Sequence, residues 1–237
     1  MKIITFNFKN TRDIIINKVL KNRIAKVVEI YNKNLPDVIG MQEITNKELK
    51  IFKKELANYN IIGESRHSFG LSDEYNPLFL NKNIKIIKNK TYSLSENIEK
   101  LGQKLLNAKY PRICTTAHII YNNERYLIIN THLDHQYDEI REKELDILTK
   151  IIKSELNKNE NLIVFGDFNM NRCEMIDKFS ENNNLYITNN LGNTYKNKAI
   201  DYIFVSNSLR VNKAIKLEKK YDDVTISDHN PVLVEIK

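Results

Sequence analysis

Residues 162–169 are Leu-Ile-Val-Phe-Gly-Asp-Phe-Asn, an apolar run that passes directly into polar side chains. Four apolar residues in a row are typical of a buried strand, so Gly166 stands where that strand ends. Asp167 and Asn169, two positions apart, are expected to project on the same side. There the carboxylate can orient a water or protonate a leaving oxygen, and the amide can donate to a phosphoryl oxygen. Taken alone, Gly-Asp-x-Asn is also an ordinary turn sequence.

The same change from apolar to polar residues occurs at the ends of three other predicted strands. Asn7 follows Ile-Ile-Thr-Phe, Glu43 follows Val-Ile-Gly-Met-Gln, and His132 closes an apolar run that begins at Arg125. We expect Glu43 to be the first ligand of a divalent metal, because such ions prefer carboxylate oxygens. His132 is expected to donate to a phosphate, and Asn130 to support substrate binding next to it. A histidine in such a place is also often structural.

An acid and an imidazole are expected to act together around residues 228–229. Asp228 and His229 precede the apolar run 231–236, and a histidine beside an aspartate at a strand entrance can act as a base next to a metal-ligating carboxylate. Asp201 opens the apolar run 202–205, where an acid loses hydration unless a partner satisfies it. His229 is the predicted partner, which would make it an imidazole oriented by a carboxylate. The alternative is a capping aspartate followed by an exposed histidine.

Short apolar runs suited to strands alternate with segments of helical period, which indicates a layered α/β protein. Residues 121–124 (Tyr-Asn-Asn-Glu) predict a tight turn between two antiparallel strands, so the sheets should be mixed. Residues 94–109 are polar and weakly periodic, which indicates a loop or a short helix at the rim of the site. The predicted strands are 2–8, 37–41, 77–87, 113–121, 125–131, 162–165, 200–205 and 232–236.

Three helices are predicted between these strands, because apolar residues recur at spacings of three and four within 20–31, 49–56 and 145–156. Thr45 and Glu48 form a capping box that marks the start of the second helix. The chain has 237 residues, of which 41% are hydrophobic. That is enough to bury a sizeable core, and it predicts one domain over residues 1–237.

Charge and cysteine content narrow the class of protein. Lys and Arg total 37 against 30 Asp and Glu, and the net charge of +7 favours attraction to polyanions such as nucleic acid. Many lysines lie beside asparagines, so a compositional bias on solvated turns is the simpler explanation of that charge. Cys114 and Cys173 have no metal-binding or redox spacing and are expected to be buried, reduced thiols. The apolar runs are too short for a signal-peptide core or a membrane span, which predicts cytoplasmic residence.

Together these segments resemble the endonuclease/exonuclease/phosphatase superfamily, whose reference fold is that of pancreatic deoxyribonuclease. The resemblance covers almost the whole chain, and it is specific because eight segments occur in one order. It is closest to small bacterial members of unassigned substrate. The segments are Thr5-Phe6-Asn7, Asp37-Val38-Ile39-Gly40-Met41-Gln42-Glu43, Glu74-Tyr75-Asn76-Pro77-Leu78-Phe79, Pro111-Arg112-Ile113-Cys114-Thr115, Asn130-Thr131-His132-Leu133-Asp134-His135, Gly166-Asp167-Phe168-Asn169, Ile200-Asp201-Tyr202-Ile203-Phe204 and Ser227-Asp228-His229.

The resemblance implies an α/β fold with four layers, an α/β/β/α sandwich of two packed mixed β-sheets with the active site at one end. It also implies Mg²⁺ or Mn²⁺, with one ion at work and a second allowed. Glu43 would bind the metal, with Asn7 and Asp228 close enough to assist. His229 would deprotonate the attacking water and would be oriented by Asp201.

The remaining implied roles concern the phosphate and the rest of the substrate. Asp167, Asn169 and His132 would surround the phosphate and stabilise the five-coordinate transition state, with Asp167 also placed to help the leaving oxygen. Tyr75 and Arg112 would contact the substrate. A tyrosine before a strand and an arginine at a strand start are also ordinary structural residues.

Three functional readings follow from the sequence. The favoured one is a metal-dependent phosphodiesterase that cleaves nucleic acid, and it predicts that an excess of Lys and Arg clusters around the mouth of the site. The second is a hydrolase of small phosphate esters, such as phosphorylated sugars, inositol phosphates or lipid head groups, and it predicts a closed rim over residues 93–109. A binding protein that has lost catalysis is disfavoured, because each expected position holds a competent residue. No protein partner is implied.

Overall fold

Two six-stranded β-sheets stacked face to face form the centre of the protein, in a computed structural model that describes residues 1–10, 17–67, 73–188 and 190–237. The strands of the first sheet are β1 (Lys2–Asn7), β2 (Val38–Gln42), β3 (Tyr59–Ile62), β4 (Leu78–Asn81), β11 (Val211–Lys216) and β14 (Val232–Ile236). Their spatial order is β11-β14-β1-β2-β4-β3. Strands β1 and β2 run parallel, and the other neighbours are antiparallel.

The second sheet is mixed in the same way. Its strands are β5 (Lys85–Ser93), β6 (Ile113–Tyr121), β7 (Glu124–His132), β8 (Asn161–Asp167), β9 (Leu185–Ile187) and β10 (Asp201–Ser206). Their order is β5-β6-β7-β8-β10-β9, with β7 and β8 parallel and the other neighbours antiparallel. A separate two-stranded ribbon consists of β12 (Lys220–Tyr221) and β13 (Val224–Thr225).

Helices cover the outer face of each sheet, which gives the protein four layers. The helices are α1 (Asn17–Asn34), α2 (Asn46–Glu55), α3 (Asp138–Glu155) and α4 (Glu174–Asn182). Leu20 of α1 and Phe52 of α2 belong to one apolar cluster with Phe6 of the first sheet. Leu148 of α3 and Ile176 of α4 belong to another, with the second sheet. The predicted α/β/β/α sandwich of two packed mixed sheets is therefore confirmed.

The central strands are apolar along their whole length because both of their faces are buried. Ile3 packs between the two sheets, whereas Ile4 faces the helices, as the two-residue period of a strand requires. Burying each such side chain contributes roughly 1.5–3 kcal/mol. The sheets approach so closely that a Cβ at Gly40 would lie 2.0 Å from the ring of Phe165. The packing of side chains between the sheets, such as the ring of Phe165 against Gly40, therefore sets the distance between them.

The prediction of one strand over residues 77–87 is wrong. β4 ends at Asn81 in the first sheet, and β5 begins at Lys85 in the second. The intervening turn carries the chain from one sheet to the other, with Ile84 buried between them. Because apolar residues continue through the crossing, hydropathy alone does not mark it. The apolar patterns in the sequence also did not predict α4, β3, β9 and β11, because these elements are short or half-exposed.

Other local predictions agree with the structure. Tyr121 pairs with Glu124 in the β6–β7 hairpin, and the capping box before α2 is present, with the backbone N–H of Thr45 donating to Glu48 Oε2 (2.8 Å). Residues 94–109 form turns rather than a helix. Both cysteines are free thiols, although Cys173 is partly exposed rather than buried.

Among the helices in the described part of the chain, none combines the length and the apolar character needed to cross a lipid bilayer.

Candidate active site

One edge of the second sheet presents a row of polar residues. His132 ends β7, Asp167 ends β8 and Asp201 begins β10. The strand register places both His132 and Asp201 directly opposite Asp167. Neighbouring strands lie about 4.8 Å apart, so these three residues stand side by side. The sheet thus brings together three distant parts of the sequence.

Gly166 allows this close arrangement. Its φ of 147° is rarely adopted by residues with a side chain, and a Cβ there would lie 1.9 Å from the carbonyl oxygen of Thr131 on the neighbouring strand. Any larger residue would push β7 and β8 apart just before His132 and Asp167. The glycine in the motif is therefore needed for packing between the strands that carry the site.

The first sheet contributes Asn7, which ends β1, and Glu43, which follows the parallel strand β2. Asn7 Nδ2 donates to Glu43 Oε1 (3.1 Å) and to Asp167 Oδ2 (2.9 Å), so it joins the two sheets. Glu43 has a φ of 59°, a left-handed conformation that costs roughly 1 kcal/mol or more in a residue other than glycine. Its second oxygen accepts from the side chain of Asn10 (3.2 Å). These hydrogen bonds hold the carboxylate at the mouth of the cleft.

His229 and Asp201 form a buried hydrogen-bonded pair. His229 Nδ1 donates to Asp201 Oδ2 (2.9 Å), and its Nε2 lies 3.8 Å from Asp167 Oδ2. The ring of Tyr195 stacks on the imidazole at 4.5 Å. Burial lowers the pKa of His229, but the negative charges of Asp201, Asp167 and Asp228 outweigh it and raise the pKa to about 10. The predicted pairing of Asp201 with His229 agrees with this geometry.

Asp167 lies at the centre of the site. Burial, followed by the charge of Asp201, raises the pKa of its carboxyl to about 7. The backbone N–H of Asn169 donates to Asp167 Oδ1 (2.8 Å), and Asn7 donates to its other oxygen. A carboxyl group with this pKa can hold or release a proton near neutral pH.

His132 and Asn169 flank Asp167. His132 Nε2 lies 3.6 Å from Asp167 Oδ2, and burial, followed by the charge of Arg112, lowers the pKa of the imidazole well below its usual range. His132 is therefore neutral at pH 7. Asn169 has a φ of 54°, which asparagine tolerates well, and its Nδ2 donates to the carbonyl of Leu133 (2.9 Å).

These residues line a cleft with a volume of about 420 Å³. Seven of the residues predicted from the sequence line it, namely Glu43, Arg112, His132, Asp167, Asn169, Asp228 and His229. Two more predicted residues, Asn7 and Asp201, are hydrogen-bonded to lining residues. The lining residues that the sequence analysis did not select are Lys9, Asn10, Arg66, Glu74, Tyr110, His135, Tyr195, Lys198 and Ile200.

Asn130 and Tyr75 do not line the cleft, which corrects their expected place in substrate binding. Asn130 is fully buried between the sheets, where its amide donates to the carbonyls of Met41 and Pro77 (2.9 Å each). It lies on the same face of β7 as His132 but two residues deeper. Tyr75 packs against the apolar cluster beneath α1 and α2. Its neighbour Glu74 faces the cleft instead.

Some of the lining residues that were not predicted could have been identified from the sequence. Glu74 and His135 belong to segments that the resemblance already included, so their motifs could have indicated them. Arg66 and Tyr110 lie in polar segments with no clear period, and they reach the cleft only because two loops fold together. No local sequence pattern indicates that these two loops come into contact.

The donors around the cleft fit a hard divalent cation, since they are mainly carboxylate and amide oxygens. Within the described ranges, Asp167, Asp201 and His229 form one group whose ligand atoms lie within 4.8 Å of one another. Glu43 offers a second position at the open side of the cleft. Asp228 is also at the mouth, where its Oδ2 pairs with Lys9 Nζ (2.8 Å). So many acids at one edge favour a compensating cation.

Basic and aromatic side chains surround the mouth. Lys9 and Lys198 line the cleft itself. Lys196 Nζ lies 5.1 Å from the ring centre of Tyr195. The lining formed by the described residues has four basic side chains (Lys9, Arg66, Arg112 and Lys198) and four acidic ones (Glu43, Glu74, Asp167 and Asp228), so it does not show the excess of Lys and Arg that the nucleic-acid reading predicts.

Tyr110, at the end of the loop at residues 94–110, lines one side of the cleft together with Arg66. Gly102 lies against His67, so that a Cβ at position 102 would be 3.3 Å from the carbonyl oxygen of His67. The guanidinium of Arg66 lies 4.8 Å from the ring centre of Tyr110. These contacts join the loop to the segment after β3 and form a wall.

A buried carboxyl supports the loop that carries His135. Glu144 of α3 accepts a hydrogen bond from the backbone N–H of Asp134 (2.7 Å), and burial raises its pKa to about 8. Between about pH 4.5 and 8 the folded protein therefore keeps a proton that the unfolded chain has released. We expect this carboxyl to lower the free energy of unfolding by about 1.4 kcal/mol for each pH unit of increase in that window.

Urea unfolding of the wild type and Glu144→Gln at several pH values tests this expectation. The difference in stability between the two should grow in favour of the variant as the pH rises, because glutamine cannot ionise. A constant difference from pH 5 to pH 8 would contradict the raised pKa.

A model of the Endonuclease/Exonuclease/phosphatase family matches residues 7–229, which confirms the resemblance inferred from the motifs. Uncharacterized protein L388 of Acanthamoeba polyphaga mimivirus is 27% identical over 190 residues, which are 75% of this chain and 65% of that protein. The chain thus spans less than two thirds of the length of this relative.

Two solved structures have a similar fold. Mannosyl-6-phosphatase Bt3783 of Bacteroides thetaiotaomicron VPI-5482 has a TM-score of 0.87 and 24% identity, covering 100% of this chain and 99% of that one. TDP2 of D. rerio, solved in complex with a single strand DNA product, has a TM-score of 0.81 and 15% identity, covering 100% and 98%. At these identities the likeness shows a shared fold.

Proposed function

Since the chain belongs to the endonuclease/exonuclease/phosphatase family of metal-dependent phosphoester hydrolases, we propose that water attacks a substrate phosphate in this cleft with His229 as the base. The observation that carries the proposal is the 2.9 Å hydrogen bond between His229 Nδ1 and Asp201. Once a bound metal ion offsets the acids that raise the pKa of His229, Nδ1 would hold a proton and Nε2 would be left to receive one from water. Asp201 also stabilises the imidazolium that forms.

Glu43, Asn7 and Asp228 are the residues that we propose to hold the metal, because the carboxylates of Glu43 and Asp228 line the cleft and Asn7 lies in hydrogen-bonding contact with Glu43. When bound, Mg²⁺ or Mn²⁺ would supply positive charge to the phosphate and offset the carboxylates that raise the pKa of His229 to about 10. Asn7 keeps Glu43 and Asp167 at a fixed separation by donating to both.

His132 and Asn169 are proposed to contact the phosphate oxygens, and Asp167 to protonate the leaving oxygen. His132 is neutral at pH 7, so one ring nitrogen carries a proton that it can donate to an oxygen. Asp167, with a pKa of about 7, holds a proton in a substantial fraction of molecules at neutral pH. The side chain of Asn169 is held beside it through the carbonyl of Leu133.

His132→Ala and Asn169→Ala are each expected to lower kcat on the order of a hundredfold, as for the loss of one donor to a developing negative charge. Steady-state kinetics with bis(p-nitrophenyl) phosphate and Mn²⁺ measure the change, and the melting temperature checks that the variant is folded. A folded variant that keeps more than about a third of the wild-type kcat would remove that residue from the proposed set.

A phosphodiester in nucleic acid is the first candidate substrate, which we infer from the net positive charge of the protein and from the lysines that line the cleft. Lys9 and Lys198 line the cleft, where their charges can attract the phosphates of a nucleic-acid backbone. The net charge of +7 adds long-range attraction to a polyanion. TDP2, which shares the fold, was solved with a DNA product.

A small phosphate ester is the second candidate, because Arg66 and Tyr110 line one side of the cleft and contact each other. A cleft with a wall on one side suits a substrate that enters by one end. Mannosyl-6-phosphatase Bt3783, which also shares the fold, acts on a compound of this class by its name.

A substrate panel separates the two candidates. It comprises single- and double-stranded DNA, RNA, bis(p-nitrophenyl) phosphate and several sugar phosphates, each with Mg²⁺, Mn²⁺ or chelator. Turnover of nucleic acid that weakens steeply with salt supports the first candidate. Turnover of sugar phosphates alone supports the second, and no metal-dependent turnover of any ester would contradict the proposed function. A cytoplasmic location stays a prediction from the sequence.

A further inference from the structure

Arg112 extends the row of polar residues along the edge of the second sheet. It directly precedes β6, and in the β6–β7 register Cys114 lies opposite Thr131. Arg112 therefore lies at the same end of the sheet as His132, one strand further from Asp167. Two strand spacings separate Arg112 from Asp167, or about 10 Å. A side chain as long as arginine can span much of that distance, and Arg112 does line the cleft.

The charge of Arg112 has no carboxylate partner at ion-pairing distance among the described residues. The residue is only 4% exposed, its Nη2 donates to His135 Nδ1 (3.1 Å), and its Nε has no hydrogen-bond partner. Arg66, the other arginine of the cleft, is different because it pairs with Glu74 (3.0 Å). A buried guanidinium without a counter-ion is unfavourable unless an anion binds to it.

The titratable groups beside Arg112 leave its charge uncompensated. Burial, followed by the charge of Arg112, lowers the pKa of His135, so this imidazole is neutral at pH 7 and can accept the hydrogen bond. Glu144 also lies within electrostatic range of Arg112, but burial raises its pKa to about 8, so it is mostly protonated at pH 7. The positive charge therefore faces the cavity in which a phosphate is proposed to bind.

The wall beside Arg112 limits what can be attached to that phosphate. Tyr110 and Arg66 line this side of the cleft and contact each other. A phosphodiester carries two ester groups, and the substituent on each of them has to extend out of the cleft. A phosphomonoester carries one ester group and three terminal oxygens, and as a dianion it has one more negative charge to bind.

We propose that Arg112 binds the third terminal oxygen of a phosphomonoester dianion, so that the cleft selects a terminal phosphate over an internal diester. This inference rests on the proposed phosphoester hydrolysis, and of the two candidate substrates it selects the phosphate monoester over the nucleic-acid diester. In the reaction the water oxygen forms a bond to phosphorus and the bond from phosphorus to the ester oxygen breaks. The water proton passes to His229, the ester oxygen takes a proton from Asp167, and the products are inorganic phosphate and an alcohol.

The test compares p-nitrophenyl phosphate with bis(p-nitrophenyl) phosphate, which share a leaving group but differ in charge and in the number of ester groups. We expect the wild type with Mn²⁺ to have the higher kcat/KM for the monoester. Arg112→Met should lower kcat/KM for the monoester at least a hundredfold and for the diester by less than about tenfold. The ratio of the two values is the readout.

Arg141→Met is a matched control. Arg141 is 7% exposed, its Nε likewise has no hydrogen-bond partner, and its Nη1 donates to the carbonyl of Asp134 (2.9 Å), but it does not line the cleft. Its removal should leave the ratio unchanged. Equal losses on both substrates in Arg112→Met, or a wild type that prefers the diester, would overturn the inference and leave the proposed hydrolysis standing.

Calorimetry on the wild type gives a second measurement that needs neither turnover nor a stable variant. Inorganic phosphate near pH 8 is a dianion with free terminal oxygens, whereas dimethyl phosphate is a monoanion with two ester groups. We expect the Mn²⁺-loaded protein to bind phosphate at least tenfold more tightly. Equal affinities would overturn the selection of a terminal phosphate, even if both nitrophenyl esters proved to be poor substrates.

Discussion

We expect His229→Ala to lower kcat on the order of a thousandfold or more while the protein stays folded. The imidazole is the group that we propose to take a proton from water, and loss of a general base typically costs about 10²–10⁴ in rate. Asp201 would lose its hydrogen bond to His229, so a modest loss of stability should accompany the change. The measurements are kcat with Mn²⁺ and a diester or monoester substrate, together with the melting temperature.

His118→Ala is the control for this variant. His118 is buried to a similar degree and hydrogen-bonds Glu155 and Glu160 (2.9 and 2.8 Å), but it lies outside the cleft. Its removal should affect stability and leave kcat nearly unchanged. A His229→Ala enzyme with wild-type kcat would eliminate His229 as the base.

Asp201→Asn examines the orientation of the base separately. The amide cannot supply the negative charge that raises the pKa of His229, so the rate should fall and the pH dependence of kcat should shift. A pH profile identical to that of the wild type would count against the Asp201–His229 pairing in catalysis.

The second large effect is expected for Glu43→Ala, which should abolish metal-dependent turnover. Glu43 is the carboxylate that we propose as the first metal ligand, and its loss removes both a donor and a negative charge from the mouth of the cleft. Asn7 and Asn10 would each lose an acceptor. The affinity for Mn²⁺, measured by calorimetry or electron paramagnetic resonance, should fall together with kcat.

Glu55→Gln, at the exposed end of α2, is the control for a lost carboxylate, and it should change neither quantity. If Glu43→Ala retained the wild-type affinity for Mn²⁺, the metal would have to be assigned elsewhere. The group of Asp167, Asp201 and His229 would then be the next position to test.

The sequence indicated most of the elements that carry the site. An apolar strand followed at once by a polar residue is a local signal, because a buried strand must end where its side chains reach water. This signal led to Asn7, Glu43, His132 and Asp167, and the structure brings all four to one end of the two sheets. The family motifs indicated the same end and the α/β/β/α layers.

Local signals were less informative where a residue's surroundings depend on distant contacts. The strand predicted over residues 77–87 proved to be two strands in different sheets, because the apolar pattern is the same on both sides of the crossing. Asn130 was predicted to support substrate binding because it lies two residues before His132 in the sequence. Its depth between the sheets, where Gln42 and two carbonyls occupy its amide, excluded it from the cleft.

The residue types of the candidate site, namely an acid, a base and a set of oxygen donors, can be identified in the sequence without coordinates. The shape of the cleft and the pairing of its charges depend on the folded structure. The sequence does not show whether Arg66 or Arg112 has an acidic partner, but in the structure Arg66 pairs with Glu74 whereas Arg112 lines the cleft. The reason is that charge compensation and closure depend on contacts between segments far apart in the chain.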